Sequence, residues 1–147
     1  MVPYIIPWSM AKVVIDTNVV FAGLQSQKGA SHKLLRILPD NKYEIVISVP
    51  MILEYESVLL KHSKQIKLSH ADINDFLDYI CSVAKQTKIY YLWRPVLTDP
   101  FDDHILELAI ASSSKYIITY NINDFKESTN YGVKAITPDE FIKLLGV

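Results

Sequence analysis

Residues 12–18 read KVVIDTN, an unbroken apolar run that stops at a carboxylate. A strand with water on one face alternates apolar and polar residues, whereas a strand covered on both faces does not. KVVID (12–16) therefore predicts a fully buried strand of a parallel sheet. YEIVIS (43–48) and KYIIT (115–119) have the same character, GVKAI (132–136) is a weaker fourth run, and KIYYL (88–92) allows a fifth. Between these runs the pattern turns helical. Leu34, Leu35 and Leu38 recur at helical spacing within 31–38, and 50–60, 100–112 and 138–145 each open on a proline, which suits a helix's first turn. Residues 69–83 open on a serine cap, with Asp72 and Asp75 near the start. Strands alternating with helices of these lengths predict a three-layer α/β/α sandwich around a central, mainly parallel sheet.

Half of the 147 residues are hydrophobic, enough for one well-buried core, and no repeat or Gly/Ser linker interrupts the pattern. Because Met10-Ala11-Lys12 directly precedes the first strand-like run, residues 1–11 read as an N-terminal extension from an upstream start and 12–147 as a single domain. Fifteen Lys plus Arg against 16 Asp plus Glu leave a net charge of −1, which excludes a globally basic nucleic-acid binder. A polyanion would have to be held by a local patch or by bound metal. The single cysteine, Cys81, allows neither an intrachain disulfide nor a paired-cysteine metal site, reads as a core residue, and favours a reducing, cytoplasmic setting. No apolar run approaches the roughly 18 residues that span a bilayer. The opening MVPYIIPWSM lacks the basic flank of a signal peptide, so no membrane partner is expected.

In parallel sheets the binding crevice lies beyond the carboxyl ends of the strands, so polar residues just after a strand are the first suspects. Asp16, followed by Thr17 and Asn18, holds that position, although Asp is also an ordinary helix cap. After EIVIS comes VPMILEYESVLL, a nearly apolar helix carrying Glu54 and Glu56. A charge in such a helix is costly unless paired, hydrated or metal-bound. Periodicity does not choose between the two glutamates and, if anything, favours Glu56. In TDPFDDHILELAIA, Asp99 is a natural cap and Asp102 suits the positive end of the helix dipole, which leaves Asp103, stacked near Leu106 and Glu107, pointing partly inward. Beyond KYIIT, the cluster Asn121, Asn123 and Asp124 follows a strand, where turn formers are also common. Four separate segments thus deliver a carboxylate near one edge. Such like charges repel unless a cation offsets them, and an all-oxygen donor set suits Mg²⁺ or Mn²⁺.

VVIDTNVVFAGL, ISVPMILEYESVLL, DPFDDHILELAIASSSKYIIT and NINDF, in this order and spacing, resemble the PIN-domain family, and within it the VapC-like toxin components of toxin–antitoxin pairs. KLS at 67–69 also looks like that branch, and the resemblance runs from Lys12 to about Leu145. It implies a parallel-sheet fold with acidic residues Asp16, Glu54, Asp103 and Asp124 as catalytic and metal-ligating groups, and it selects Glu54 over Glu56. Many relatives have T-x-D-x-D-F where this chain has Thr119-Tyr120-Asn121-Ile122-Asn123-Asp124-Phe125, so Asn121 becomes a neutral partner and one or two ions are compatible with the site.

The expectation is therefore a metal-dependent endoribonuclease, the toxin of a toxin–antitoxin pair, with RNA as substrate, an antitoxin protein as partner and a homodimer allowed by the apolar helices near 50–60 and 69–83. Thr17, Asn18, Ser48, Glu107, Thr119 and Asn121 are supporting residues that orient ligands or phosphate. Lys28, His32, Lys33 and Arg36 read mainly as solvated residues that are also available to phosphate. His104 should turn to the surface. The rivals are a PIN-like module that binds RNA or protein without cutting, and a phosphotransfer domain with Asp16 as acceptor.

Overall fold

A computed structural model of the chain describes residues 11–87 and 100–147. Among the described residues five strands, β1 (Ala11–Ile15), β2 (Tyr43–Ile47), β3 (Lys85–Gln86), β4 (Tyr116–Ile118) and β5 (Lys134–Ile136), form one sheet in the order β3-β2-β1-β4-β5. Every pairing is parallel. The unbroken apolar runs are the cause: Val13, Val14, Ile15, Ile45, Val46, Ile117 and Ile118 are all wholly buried, so both faces of the central strands are covered. The covering elements are α1 (Thr17–Gln25), α2 (Ala30–Arg36), α3 (Val49–Lys61), α4 (Ser63–Ile66), α5 (His70–Val83), α6 (Pro100–Ala111) and α7 (Pro138–Leu145). Helices thus flank an all-parallel sheet, as the alternating pattern predicts.

Local signals set most boundaries. Ser69 and Thr137 each form a capping box, with Asp72 and Glu140 respectively, and Pro138 starts α7. Ser48 ends β2 one residue earlier than the apolar run suggests, because its side chain caps α3 by accepting from the Met51 N–H at 3.3 Å. The helix expected over 31–38 stops at Arg36: Pro39 cannot donate to the next turn, and Leu38–Asp40 form a 3₁₀ turn closed by Asn41 in the left-handed region. Gly132, at φ 79°, ends the 3₁₀ segment Ile122–Tyr131 and shortens the run at 132–136 to β5. β3, two exposed residues paired with Val46 and Ile47, has no apolar signature and was not expected. The run at 88–92, the cap at Asp99 and residues 1–10 of the extension lie outside the described residues.

Gly23 is required by packing. A Cβ there would lie 2.6 Å from Leu35 Cδ1 and 2.9 Å from the Ser31 carbonyl oxygen, so α1 and α2 meet at a distance only glycine allows.

The strand order positions the site. From central β1 the chain winds outward through β2 to β3, then returns to build β4 and β5 on the other side. The reversal falls between β1 and β4, whose last residues Ile15 and Ile118 are in register. In such sheets the crevice opens at that switch point. No helix among the described residues is long and apolar enough to cross a membrane.

Candidate active site

Asp16 is the first residue past β1, and its N–H donates to the Ile118 carbonyl at 2.9 Å, which continues the β1–β4 ladder. Its side chain then caps α1: Oδ1 accepts from the Thr17 N–H at 2.8 Å. Oδ2 accepts from Thr119 Oγ1 at 2.7 Å, and that hydroxyl in turn accepts from the Asn121 N–H at 2.9 Å. Cap and site candidate are therefore the same carboxylate, fixed at both oxygens. Burial pushes the Asp16 carboxyl above its ordinary range; donation from Thr119 and Thr17 pulls it back, and the charges of Asp124 and Glu54 push it up again. Both of those acids are thus electrically close to Asp16. Beneath it, wholly buried Tyr55 donates its phenol to the Ile15 carbonyl and ties α3 to the end of β1.

A cavity of about 420 Å³ opens over this carboxylate. Its polar wall is made by Asp16, Thr17, Asn18, Glu54, Asp102, Asn121 and Asp124. Thr17 Oγ1 and Asn18 Oδ1 are buried with no hydrogen-bond partner among the described residues, which leaves both polar atoms available to a ligand in this cavity. Phe21, Val58, His62 and Gln65 complete the wall. A larger cavity of about 520 Å³ lies elsewhere, lined by Ala11, Lys42, Lys115 and Phe141 among others, but Asp40 is its only carboxylate among the described residues. Donor chemistry therefore selects the smaller one.

Of the sequence candidates, Asp16, Glu54 and Asp124 come together with Thr17, Asn18 and Asn121 on one cavity, with Thr119 directly behind them. Glu54 lines it and Glu56 does not. From α6 the cavity takes Asp102, which the sequence explains by the helix dipole alone, while Asp103 is only 6% exposed and is not on the wall. Consecutive helical residues diverge by about a quarter-turn or more, so one stands forward and the next stands behind. Ser48 is occupied as the α3 cap and borders a different cavity beside Cys81. Glu107 is half-buried on α6 and off the wall. His104, expected at the surface, is half-buried and its Nδ1 is buried without a partner among the described residues, because α6 is covered over more of its circumference than its apolar stripe suggests. Cys81 is half-buried at the core's edge rather than inside it, and burial pushes its thiol up. None of Lys28, His32, Lys33 and Arg36 lines the cavity.

Phe21, Tyr55, Val58, His62 and Gln65 escaped the sequence reading. A signal existed for most of them: Phe21 follows Thr17 by four residues, and Val58 and His62 follow Glu54 by four and eight, which puts each set on one helix face.

The wall's donors are oxygens, and with two orphaned acceptors among them they fit a hard divalent cation. Among the described residues no three His, Cys, Asp or Glu side chains form a ready cation cage. Binding there would require the carboxylates to draw in.

A sequence profile described as PIN domain matches residues 12–123. No curated protein matches the chain. Among solved structures, the chain is similar to one of VapBC2 from Rickettsia felis bound to a DNA fragment from its promoter, with a TM-score of 0.58 and 18% identity over 84% of this chain and 98% of that one.

Proposed function

Because the chain belongs to the PIN-domain family, we propose that it is a divalent-metal-dependent endoribonuclease of the VapC-like toxin branch. The observation that carries this reading is Asp16: a carboxylate buried at the switch point, held at both oxygens, and raised by burial and by the neighbouring charges of Asp124 and Glu54. Such a group is a standing demand for positive charge.

In this reading Asp16, Glu54, Asp124 and the α6 pair Asp102–Asp103 hold one or two Mg²⁺ or Mn²⁺ ions. When bound, the metal would lower the pKa of an attacking water and offset charge on the phosphoryl oxygens. The chain's own part is orientation. Thr119 and the Thr17 N–H fix the plane of the Asp16 carboxylate, and Thr119 also anchors the Asn121 backbone, which sets the start of the turn that carries Asp124. Thr17 Oγ1 and Asn18 Oδ1 are free to receive a metal-bound water or to orient it, and Asn121 offers a neutral amide where relatives carry a further acid. An antitoxin protein is the proposed partner, consistent with the fold likeness to a toxin–antitoxin complex and with the exposed Val49 and Leu53 on α3 and Tyr79 and Val83 on α5.

The test is incubation of wild type and Asp16→Asn with single-stranded RNA in Mg²⁺, in Mn²⁺ and in EDTA. Cleavage by the wild type alone, abolished by EDTA, is expected; equal cleavage by the variant, or cleavage surviving EDTA, refutes the reading. A second reading, an RNA- or protein-binding module that does not cut, is favoured by Asn121 and by the lack of a ready three-ligand cage among the described residues. Calorimetry that detects RNA binding but no divalent-metal binding would select it.

A further inference from the structure

Hydrolysis gives no task to one part of the cavity wall. Phe21 lies one turn beyond Thr17 on α1, while Val58 and His62 lie one and two turns beyond Glu54. The stripe from α3 thus runs from a carboxylate through an aliphatic group to an imidazole, with Gln65 of α4 next on the wall. At 1.5 Å rise per residue, Glu54 and His62 are separated by roughly 12 Å along the axis. That is too far for both to grip one cation, and it leaves room for a sugar and a base beside a phosphate. The Phe21 and His62 rings meet edge to face with centroids 5.5 Å apart, and both are half-buried, so each is anchored while part of it faces the cavity. Gln65 is exposed and carries an amide with two donors and one acceptor.

We propose that Phe21, His62 and Gln65 form a nucleobase subsite, which rests on the nuclease reading: the base next to the phosphate at the carboxylate end packs on the two rings, and the Gln65 amide meets its polar edge. Charge explains why a base is the occupant. The chain's net charge is −1, and neither lysine nor arginine occurs among the described lining residues, so phosphate attraction contributes little beyond what a cation brings. Stacking on aromatic side chains is the remaining large source of affinity for single-stranded RNA, and every base has a face to offer. The cavity's 420 Å³ lies within the usual range for small-ligand pockets.

The test compares AMP, UMP and ribose phosphate as ligands of the full chain in Mg²⁺, by calorimetry. The nucleotides should bind on the order of ten-fold more tightly than ribose phosphate, a ratio that Phe21→Leu and His62→Leu should bring close to unity while keeping apolar bulk at each position. A purely packing role for the Phe21–His62 contact would weaken all three ligands alike and overturns the proposal. So does equal binding of nucleotides and ribose phosphate by the wild type, or failure to bind any of them. RNA cleavage by the wild type is scored separately: a nucleotide preference without cleavage keeps the subsite and removes the hydrolytic reading, whereas cleavage without preference does the reverse.

Discussion

Thr119→Val isolates the hydroxyl that holds the site together. Thr119 is wholly buried; its Oγ1 donates to Asp16 Oδ2 at 2.7 Å and accepts from the Asn121 N–H at 2.9 Å. Valine keeps the shape and removes both bonds. A hydrogen bond to an ionised group contributes about 1.5–3 kcal/mol and a neutral one about 0.5–1.5, so the loss with Asp16 ionised is roughly 2–4.5 kcal/mol. For a chain of this size each kcal/mol moves Tm by about 3 °C, which gives a fall on the order of 6–13 °C. The effect should depend on pH with a definite sign. Donation from Thr119 lowers the Asp16 carboxyl, so its removal raises that group further above its ordinary value. The destabilisation then grows as pH rises from the wild-type value through the variant's and levels off above it; below both, only two neutral bonds are lost and the fall roughly halves. Differential scanning calorimetry without divalent cations, in steps from pH 4 to 8, measures it. The same depression at both ends, or one under about 2 °C throughout, refutes the argument that this hydroxyl supports an ionised carboxylate.

Asp16→Asn should raise Tm in the absence of cations. A raised carboxyl means that ionisation weakens the fold as pH climbs through the folded value, so the neutral amide is favoured above it and the difference fades below the ordinary value of 3.8. In the same scans Mg²⁺ should stabilise the wild type and not the variant. Glu54→Gln should lower metal-dependent cleavage by at least about ten-fold, while Glu56→Gln leaves it unchanged; the opposite order in a single-turnover assay would return the role to Glu56. Asp102→Asn is expected to cost more cation-induced stabilisation than Asp103→Asn, because Asp102 lies on the cavity wall and Asp103 is buried behind it, and a cation titration followed by Tm decides this. Gly23→Ala should destabilise by about 1–3 kcal/mol through overpacking, read by urea denaturation, since the Ser31 carbonyl lies 2.9 Å from the added methyl.

The layer architecture was legible because its cause is local. Runs such as VVI, IVI and YII are apolar without alternation, which only a sheet covered on both faces tolerates, and the Ser69 and Thr137 capping boxes are written in residues three apart. Asp16 was legible for the same reason, since it ends an apolar run. What the residues could not decide was anything set by contacts distant in sequence. Periodicity leans, if anything, towards Glu56, and it is the packing of α3, with Tyr55 pinned to the Ile15 carbonyl, that turns Glu54 into the cavity. Asp102 and Asp103 differ by one residue, and the seating of α6 brings Asp102 to the wall and buries Asp103 behind it. β3 exists because Val46 and Ile47 offer it an edge, not because of its own residues. Helical spacing puts Phe21 on the face of Thr17 and His62 on that of Glu54, but only the packing of α1 against the end of α3 brings the two rings together on one wall. Composition and periodicity determined which residues must be buried and where a carboxylate would interrupt them. Which polar and aromatic side chains share a single cavity was decided only when the strand order brought the ends of β1 and β4 together.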